Sequence, residues 1–329
     1  MKNPDMLKNK IHSIFHPDQF QGWNRKRNYF EGWYFKVVNE AENKAFAIIP
    51  GIAIDSEGNR HAFIQVLDGK KHTAKYHKFS SNAFNPNSDQ FKIAIEENSF
   101  SEAGLQLNLP ELKANLQFSG NVPWPNRWYS PGIMGPYTFL PFMECYHGIV
   151  SMDHTITGYV EENGEILDFS NGRGYIEKDW GQSFPSAYVW MQTNHFSQPG
   201  NSLKVSVAKI PYMGYSFVGF IAGIWLENRL IQFTTYNQST LRKSFIDTEK
   251  VELVMDNKNF RLEILVKREA ATALASPILG LMDGRIEESM DGQIMVKLTE
   301  IKSGKTIFKD TGRNAGLEVA GKIEEIIIS

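Results

Sequence analysis

Residues 171–196 constrain the fold of this chain more than any other part of the sequence. Two stretches of alternating side chains, 173–180 and 190–196, lie on either side of a break made by Gly181 and Pro185. An extended chain points successive side chains to opposite faces. The pattern therefore predicts two consecutive β-strands that are joined at this break.

The two predicted strands carry polar side chains in positions that can face a core. The first strand has one face with Arg173, Tyr175, Glu177 and Asp179 and another with Ile176, Lys178 and Trp180. The second strand groups Trp190, Gln192, Asn194 and Phe196 on one face. Buried amides cost free energy unless they are hydrogen-bonded, so this pattern favours a ligand site. The alternative is a pair of edge strands whose polar residues face water.

Strand-like segments recur along the rest of the chain, and long helical periodicity is scarce. The segment Tyr29–Val38 is rich in aromatic and β-branched residues, and Asp68-Gly69 is a strong hairpin turn signal. One short helix is expected over residues 5–15. Together these features predict an all-β protein.

Composition argues against several functional classes. The 329 residues have a formal net charge of -2 and no basic run, so no nucleic-acid partner is expected. The single cysteine, Cys145, cannot form an internal disulfide and fits a reducing compartment. The sequence shows neither a membrane-spanning apolar run nor the apolar core of a signal peptide. We therefore expect a cytoplasmic protein.

Residues 121–143 interrupt the strands with prolines and aromatic residues. A loop this apolar must pack on something, because large exposed apolar patches usually mark interaction sites. It could form a lid over an apolar pocket, or it could pack on the outside of a barrel. A third interpretation is peripheral membrane contact through Trp124, Trp128, Tyr137 and Phe139.

The second half of the sequence repeats the first in outline. FAIIPG at 46–51 corresponds to SVAKIP at 206–211, and IAIEENSF at 93–100 corresponds to ELVMDNKNF at 252–260. The shared order of such matches predicts a duplicated β-domain. The expected division is an N-terminal extension (1–28), a first domain (29–184) and a second domain (185–329). Ligand sites favour such domain junctions.

Other catalytic signatures are weak. Residues 144–156 contain serine, histidine and aspartate, but no nucleophile elbow accompanies them, so a catalytic triad is not favoured. The eight histidines are scattered without clustered ligand spacing. Neither a metal nor a cofactor is therefore predicted.

Four motifs together make the chain resemble the tocopherol cyclase family. They are Tyr29-Phe-Glu-Gly-Trp-Tyr-Phe-Lys-Val, Leu140-Pro141 to Glu144, Tyr175-x-Glu-Lys-x-Trp-Gly181 with Phe184-Pro185, and Trp190-x-Gln-x-Asn-x-Phe196. A weaker similarity covers residues 292–321. The resemblance implies two lipocalin-like antiparallel β-barrels, related to carotenoid hydratase-like proteins. It also implies cofactor-free protonation of a prenyl double bond, after which a quinol hydroxyl closes a chromanol ring.

This chemistry needs a carboxylic acid that burial keeps neutral and aromatic faces that hold a cation. Glu177 and Asp179 are the expected proton donors, with Glu31 as the alternative. The expected ligand-binding residues are Trp33, Glu144, Trp180, Trp190, Gln192 and Asn194, with the two amides orienting the substrate hydroxyl. We expect a cavity that opens beside residues 177–180 and whose floor is formed by Trp190, Gln192 and Asn194. Asp179 departs from the resemblance, because asparagine is expected there in the plant enzymes.

A second hypothesis is a non-catalytic, lipocalin-like carrier. Both functions need an apolar cavity for an isoprenoid or another lipid, but only the enzyme needs a carboxylate inside it. A structure in which Glu31, Glu144, Glu177 and Asp179 are all solvated would therefore favour the carrier.

Overall fold

The structure is a computed structural model that describes residues 12–141, 143–268 and 270–328. Most of the short helix predicted over residues 5–15 lies outside the described residues. Short 3-10 helices occur at Ser81–Ala83, Gly135–Phe139 and Ile323–Ile326, and nearly all other regular structure is β. The prediction of an all-β protein is confirmed.

Twelve strands form the first antiparallel sheet. They are β1 (Tyr29–Val38), β2 (Ala45–Ile54), β3 (Arg60–Asp68), β4 (Thr73–Ser80), β5 (Phe84–Pro86), β6 (Lys92–Ile95), β7 (Asn98–Ser101), β8 (Gly104–Asn108), β9 (Leu112–Ser119), β10 (Cys145–Glu162), β11 (Glu165–Asp168) and β12 (Arg173–Gly181). Their order is β4-β3-β2-β1-β12-β10-β9-β8-β7-β6-β5, with β11 paired to β10. The last strand in sequence, β12, therefore lies in the middle of the sheet.

Ten strands form the second antiparallel sheet. They are β13 (Ala187–Thr193), β14 (Ser202–Tyr212), β15 (Tyr215–Leu226), β16 (Arg229–Thr234), β17 (Thr240–Ile246), β18 (Lys250–Asp256), β19 (Phe260–Lys267), β20 (Thr272–Ile278), β21 (Leu281–Glu300) and β22 (Thr306–Gly321). Their order is β16-β15-β14-β13-β22-β21-β19-β18-β17, with β20 paired to β21. In both sheets the first strand thus pairs with the last, although the predicted duplication itself stays a prediction.

The chain groups into two compact units, each built mainly on one sheet. The first contains the chain up to Val66, Lys75–Phe184 and Ala275–Gly284. The second contains Leu67–Ala74, Pro185–Leu274 and the chain from Arg285 onward. Two of the boundaries between the units fall inside the strands β20 and β21. β20 begins in the second unit and ends in the first, and β21 begins in the first unit and ends in the second.

Each sheet buries one face in its own apolar core. In the first unit the core is aromatic: Trp33 stacks on Phe91 at 5.7 Å between ring centroids, and Phe35 contacts Phe100 and Phe118. In the second unit the core is mainly aliphatic, with Val189 and Met191 from β13. Alternation along each strand leaves the other face for polar side chains.

Candidate functional site

Strand β12 places the central candidate residues, because β1 and β10 flank it on either side. Ile176 belongs to the apolar core of the first unit. Its neighbours Tyr175 and Glu177 therefore face the other way, as the alternation in the sequence indicates. Across the sheet, Tyr34 and Ile149 lie opposite Glu177.

His147, Tyr175, Glu177 and Asp179 meet on this second face, and we call them the acid cluster. His147 is opposite Asp179 in the ladder, and its Nδ1 donates a hydrogen bond to Asp179 Oδ1 at 2.7 Å. Its Nε2 lies 3.7 Å from Glu177 Oε2. The Tyr175 hydroxyl donates to the same Glu177 oxygen. One imidazole thus lies between two carboxylates, with a phenol on the far side of the more buried one.

Burial differs across the acid cluster. Glu177 is 4% exposed, whereas the Asp179 side chain is 23% exposed. Burial, and then the Glu177 charge, raise the pKa of Tyr175 well above its ordinary value. Tyr175 therefore keeps its proton and acts as a hydrogen-bond donor to Glu177. The acid cluster thus contains one buried carboxyl group and one partly exposed carboxyl group, and the His147 imidazole lies beside both.

The same residues have the geometry of possible metal ligands. One ligand atom each from His147, Glu177 and Asp179 lies within 4.8 Å of the others. In many metal sites the ligating histidine holds a carboxylate at its other ring nitrogen, as His147 does through Nδ1. The cluster is equally suited to proton transfer, because the imidazole can exchange protons with both carboxyl groups.

Two glycines and one aromatic ring adjoin the acid cluster. Gly32 pairs with Asp179 on one side and with Gly51 on the other. A Cβ at Gly32 would lie 3.7 Å from the Pro50 carbonyl oxygen and 3.8 Å from Phe63 Cζ, which are ordinary contact distances. The Phe63 ring therefore packs over the glycine backbone beside Asp179.

Glu31, the alternative donor, lies on the opposite face of the sheet from the acid cluster. It is fully buried and forms an ion pair with Lys178, with 2.6 Å between Nζ and Oε1. The Tyr29 hydroxyl and the Gln21 backbone amide also donate to its carboxylate. These donors occupy the Glu31 oxygens, so the structure places this carboxylate in a buried ion pair apart from the acid cluster.

Trp33 and Trp180 share the face of Glu31 and Lys178. Lys178 Nζ lies 4.9 Å from the Trp33 ring centroid and 4.5 Å from that of Trp180. Trp180 also stacks on Tyr146, with 5.6 Å between ring centroids. The structure therefore does not bring these two tryptophans to the acid cluster, and both rings lie against the buried Lys178 ammonium group.

Glu144 lies just before β10. It is half-buried, and burial raises its pKa above the ordinary range. Its backbone carbonyl accepts a hydrogen bond from the Gln182 amide, which ties this residue to the end of β12. Glu144 is thus a carboxyl near the same strand, at the far end from Tyr175.

Trp190, Gln192 and Asn194 belong to the second unit and are all buried. On β13 the core-facing neighbours are Val189 and Met191, so Trp190 and Gln192 occupy the other face. Trp190 packs over Gly316 of β22, where a Cβ would lie 2.7 Å from the indole. This close approach fixes the plane of the ring.

Phe196 does not share the face of Trp190 and Gln192, so the predicted grouping of these residues is wrong for it. Phe196 lies in the apolar core of the second unit. The physical reason is the end of β13 at Thr193, because beyond it the chain no longer alternates as a strand does.

The apolar loop 121–143 is divided between interior and surface. Trp124 is buried at 4% exposure, so it cannot serve as the membrane contact predicted for it. Trp128 and Phe139 are 80% and 45% exposed. Tyr137 is half-buried within the 3-10 helix Gly135–Phe139.

His147 and Tyr175 are the residues to which the sequence assigned no role. The sequence pattern places Tyr175 on the same face as Glu177, but the hydrogen bond between them depends on side-chain length and rotamer. His147 reaches Asp179 because β10 pairs with β12, and no local pattern predicts that register. The one signal in the sequence that could have pointed to this residue is the presence of His147 in the alternating segment that forms β10.

Comparison with protein families gives one match over most of the chain. The sequence profile of the tocopherol cyclase-like family matches residues 106–321. The chloroplastic tocopherol cyclase of Zea mays is 29% identical over 196 residues, which are 55% of this chain and 40% of the maize protein. The match thus spans about two fifths of the full length of this curated relative.

Two solved structures share the fold at low identity. CghA in complex with Sch210972 is 10% identical and has a TM-score of 0.56. The match covers 89% of this chain and 88% of CghA. Kievitone hydratase from Nectria haematococca is 11% identical with a TM-score of 0.51, and 89% of each chain is covered. At these identities the likeness supports the fold alone.

Among the described residues, no helix has the length and hydropathy that crossing a bilayer requires.

Proposed function

Because the chain belongs to the tocopherol cyclase-like family, we propose that it is an intramolecular cyclase that acts on a prenylated quinol or a related isoprenoid. The observation that carries this proposal is the acid cluster, in which the buried Glu177 lies 3.7 Å from an imidazole that Asp179 holds. Such a reaction needs a strong proton donor and a route for returning the proton, and the cluster supplies both.

Glu177 is the proposed proton donor. Its carboxyl proton moves to one carbon of the prenyl double bond, and a tertiary cation forms at the other carbon. Burial favours the neutral acid, and the nearby Asp179 carboxylate adds to that preference. Tyr175 donates to one Glu177 oxygen and so stabilises the carboxylate that remains after transfer.

His147 is the proposed proton return. The phenol oxygen attacks the cation, a C–O bond forms, and the phenolic proton moves to His147 Nε2. From there it returns to Glu177, so the reaction is a net isomerisation and needs no cofactor. Asp179 fixes the imidazole tautomer through the 2.7 Å hydrogen bond to Nδ1.

Aromatic faces beside the cluster suit the cation. Tyr34 lies opposite Glu177 on β1, and its ring centroid is 6.5 Å from that of Tyr175. The Phe63 ring lies 3.8 Å from the position of a Cβ at Gly32, which pairs with Asp179. Ring faces attract cations through their negative quadrupole. In this proposal the rings of Tyr34, Tyr175 and Phe63 therefore take the role predicted for Trp33 and Trp180.

Gln192 and Asn194 keep their proposed role of orienting the substrate hydroxyl, with Trp190 as an apolar wall. This part of the proposal rests on the family motif that contains them. An amide hydrogen bond contributes about 0.5–1.5 kcal/mol net, so Gln192→Ala should raise KM and leave most of the turnover rate.

The carrier remains the competing function, and the burial of Glu31 and Glu177 gives it no support. The deciding experiment incubates a panel of prenyl-quinols with wild type, Glu177→Gln, Asp179→Asn and the matched control Glu165→Gln on exposed β11. Loss of about 10²–10⁴-fold in turnover is expected for Glu177→Gln, with ligand binding retained. The control should match wild type.

Two results would count against this assignment. Full activity of Glu177→Gln would remove Glu177 as the donor, and tight binding of a prenyl-quinol without turnover by wild type would favour the carrier. Asp179→Asn introduces the residue expected in the plant enzymes. Faster cyclisation by that variant would make Asp179 a determinant of specificity rather than of proton transfer.

A further inference from the structure

Two β-hairpins expose apolar residues at positions where folding favours polar ones. In the hairpin between β20 and β21, the turn is Leu279-Gly280 with φ of 48° and 82°. In the hairpin between β14 and β15, the turn is Met213-Gly214 with φ of 49° and 84°. Two-residue turns with positive φ at both positions strongly prefer asparagine, aspartate or glycine at the first.

The rest of the chain follows that preference. Among the described residues, the other non-glycine positions with positive φ are polar or charged: Asn28, Glu42, His72, Glu96, Asn163, Asn171, Glu227, Asn228, Gln238 and Asn314. The hairpin between β10 and β11 turns through Asn163-Gly164 in the ordinary way. Leucine and methionine at this position therefore need an explanation outside the folding of the turn.

The exposed apolar surface extends beyond the turn residues. Ile278 and Leu279 are 55% and 50% exposed, and Leu281 is 38% exposed. Met213 and Tyr215 are 78% and 85% exposed. We call residues 278–281 the first tip and residues 212–215 the second tip. Each tip presents two or more large apolar side chains on one short hairpin.

Basic residues adjoin the first tip. A Cβ at Gly280 would lie 2.4 Å from the Tyr29 amide nitrogen and 3.0 Å from the Asn28 carbonyl carbon, so the tip packs directly on this segment. Arg25, Lys26 and Arg27 immediately precede it and are exposed. Arg60 joins them, because its Nη2 donates to the Arg25 carbonyl at 2.7 Å. Trp23, half exposed, continues the apolar surface.

We propose that the first tip inserts into the surface of a lipid bilayer and that Arg25, Lys26, Arg27 and Arg60 bind its anionic headgroups. Apolar side chains on a turn gain free energy when they leave water for the acyl boundary, and nearby cations gain from a negative surface potential. Asp55 and Glu57 offset part of the charge, which leaves the group basic. The first tip joins both chemistries in one place.

The test is vesicle flotation with purified full-length protein and no substrate. Vesicles consist of phosphatidylcholine alone or of phosphatidylcholine with phosphatidylserine at about three to one. Variants are Leu279→Asn (the tip variant), Lys26→Gln with Arg27→Gln (the charge variant), and Ile166→Asn. Ile166 is 71% exposed beside the ordinary Asn163-Gly164 turn, so it is the matched control.

Wild type and Ile166→Asn should float with the anionic vesicles. The tip variant should lose about tenfold or more in partitioning while its Tm stays equal or rises, because asparagine suits the turn. The charge variant should lose about 20-fold on anionic vesicles and little on neutral ones. Because flotation requires no turnover, its outcome is independent of the proposed cyclase activity.

Three outcomes would overturn the proposal. Wild type could remain unbound with both vesicle compositions, or the tip variant could float like wild type. In the third outcome the tip variant would dissociate a dimer in light scattering, which would show that a second copy of the chain covers the first tip.

Discussion

Replacing Lys178 by methionine tests the buried ion pair that holds β12 to β1. Both side chains of the Lys178–Glu31 pair are fully buried, at 2.6 Å between Nζ and Oε1. The ammonium also donates to the backbone carbonyls of Pro17 and Gln19, which precede β1. Burial lowers the pKa of Lys178, and the Glu31 carboxylate opposes that shift. Methionine is an unbranched side chain one atom shorter than lysine, and it removes the charge.

The magnitude follows from the carboxylate that remains. Removing one partner of a buried pair typically costs about 3–5 kcal/mol, because the other charge stays buried. Glu31 keeps the Tyr29 hydroxyl and the Gln21 amide as donors, which limits the loss to about 3 kcal/mol. Domains commonly have about 5–15 kcal/mol of stability, so the variant should still fold.

The assay is a double-mutant cycle by urea unfolding, followed by tryptophan fluorescence. Glu31→Gln alone should also destabilise, whereas Glu31→Gln with Lys178→Met should cost less than the sum of the single changes by about 1–3 kcal/mol. Additive effects, or a cost below about 1 kcal/mol for Lys178→Met, would refute this account of the pair. Glu31→Gln should keep turnover, since Glu31 faces away from the acid cluster.

Three further predictions concern stability and membrane contact. Burial lowers the pKa of His154 to about 3, so the unfolded state takes up a proton that the folded state refuses between that value and the ordinary 6.5. Stability should therefore fall by about 2 kcal/mol from pH 7 to pH 5, and His154→Leu should flatten the slope of urea unfolding with pH; equal slopes would contradict this. Gly174→Ala should cost about 1–3 kcal/mol by thermal unfolding, because its Cβ would lie 2.1 Å from His154 Nε2. Trp128→Asn should weaken vesicle flotation if the loop 121–143 also contacts membranes, with Ile166→Asn again as the control, and unchanged flotation would make that loop a packed surface element.

The faces of β12 could be predicted from the sequence because period-two alternation depends on local geometry alone. Tyr175 and Glu177 on one face and Ile176 and Lys178 on the other follow from that rule. The partner of Lys178 could not be predicted, because it depends on which strand lies beside β12. His147 shows the same limit, because its position opposite Asp179 depends on the pairing of β10 with β12.

Loop and strand ends account for the remaining differences. The alternation in the sequence placed Phe196 on the face of Trp190, but β13 ends at Thr193, before Phe196. Trp124 belongs to a loop rich in aromatics, and sequence alone does not say which of them the loop buries. Both outcomes depend on tertiary packing, which periodicity does not contain.

Cyclisation in deuterium oxide tests the central claim, that Glu177 delivers a solvent-exchangeable proton to carbon. The acid cluster exchanges with water through Asp179, which is 23% exposed at its side chain. Mass spectrometry of the product of a prenyl-quinol should show one carbon-bound deuterium per turnover, and Glu177→Gln should yield almost no product. A product without carbon-bound deuterium, or labelled product from Glu177→Gln at the wild-type rate, would contradict the account.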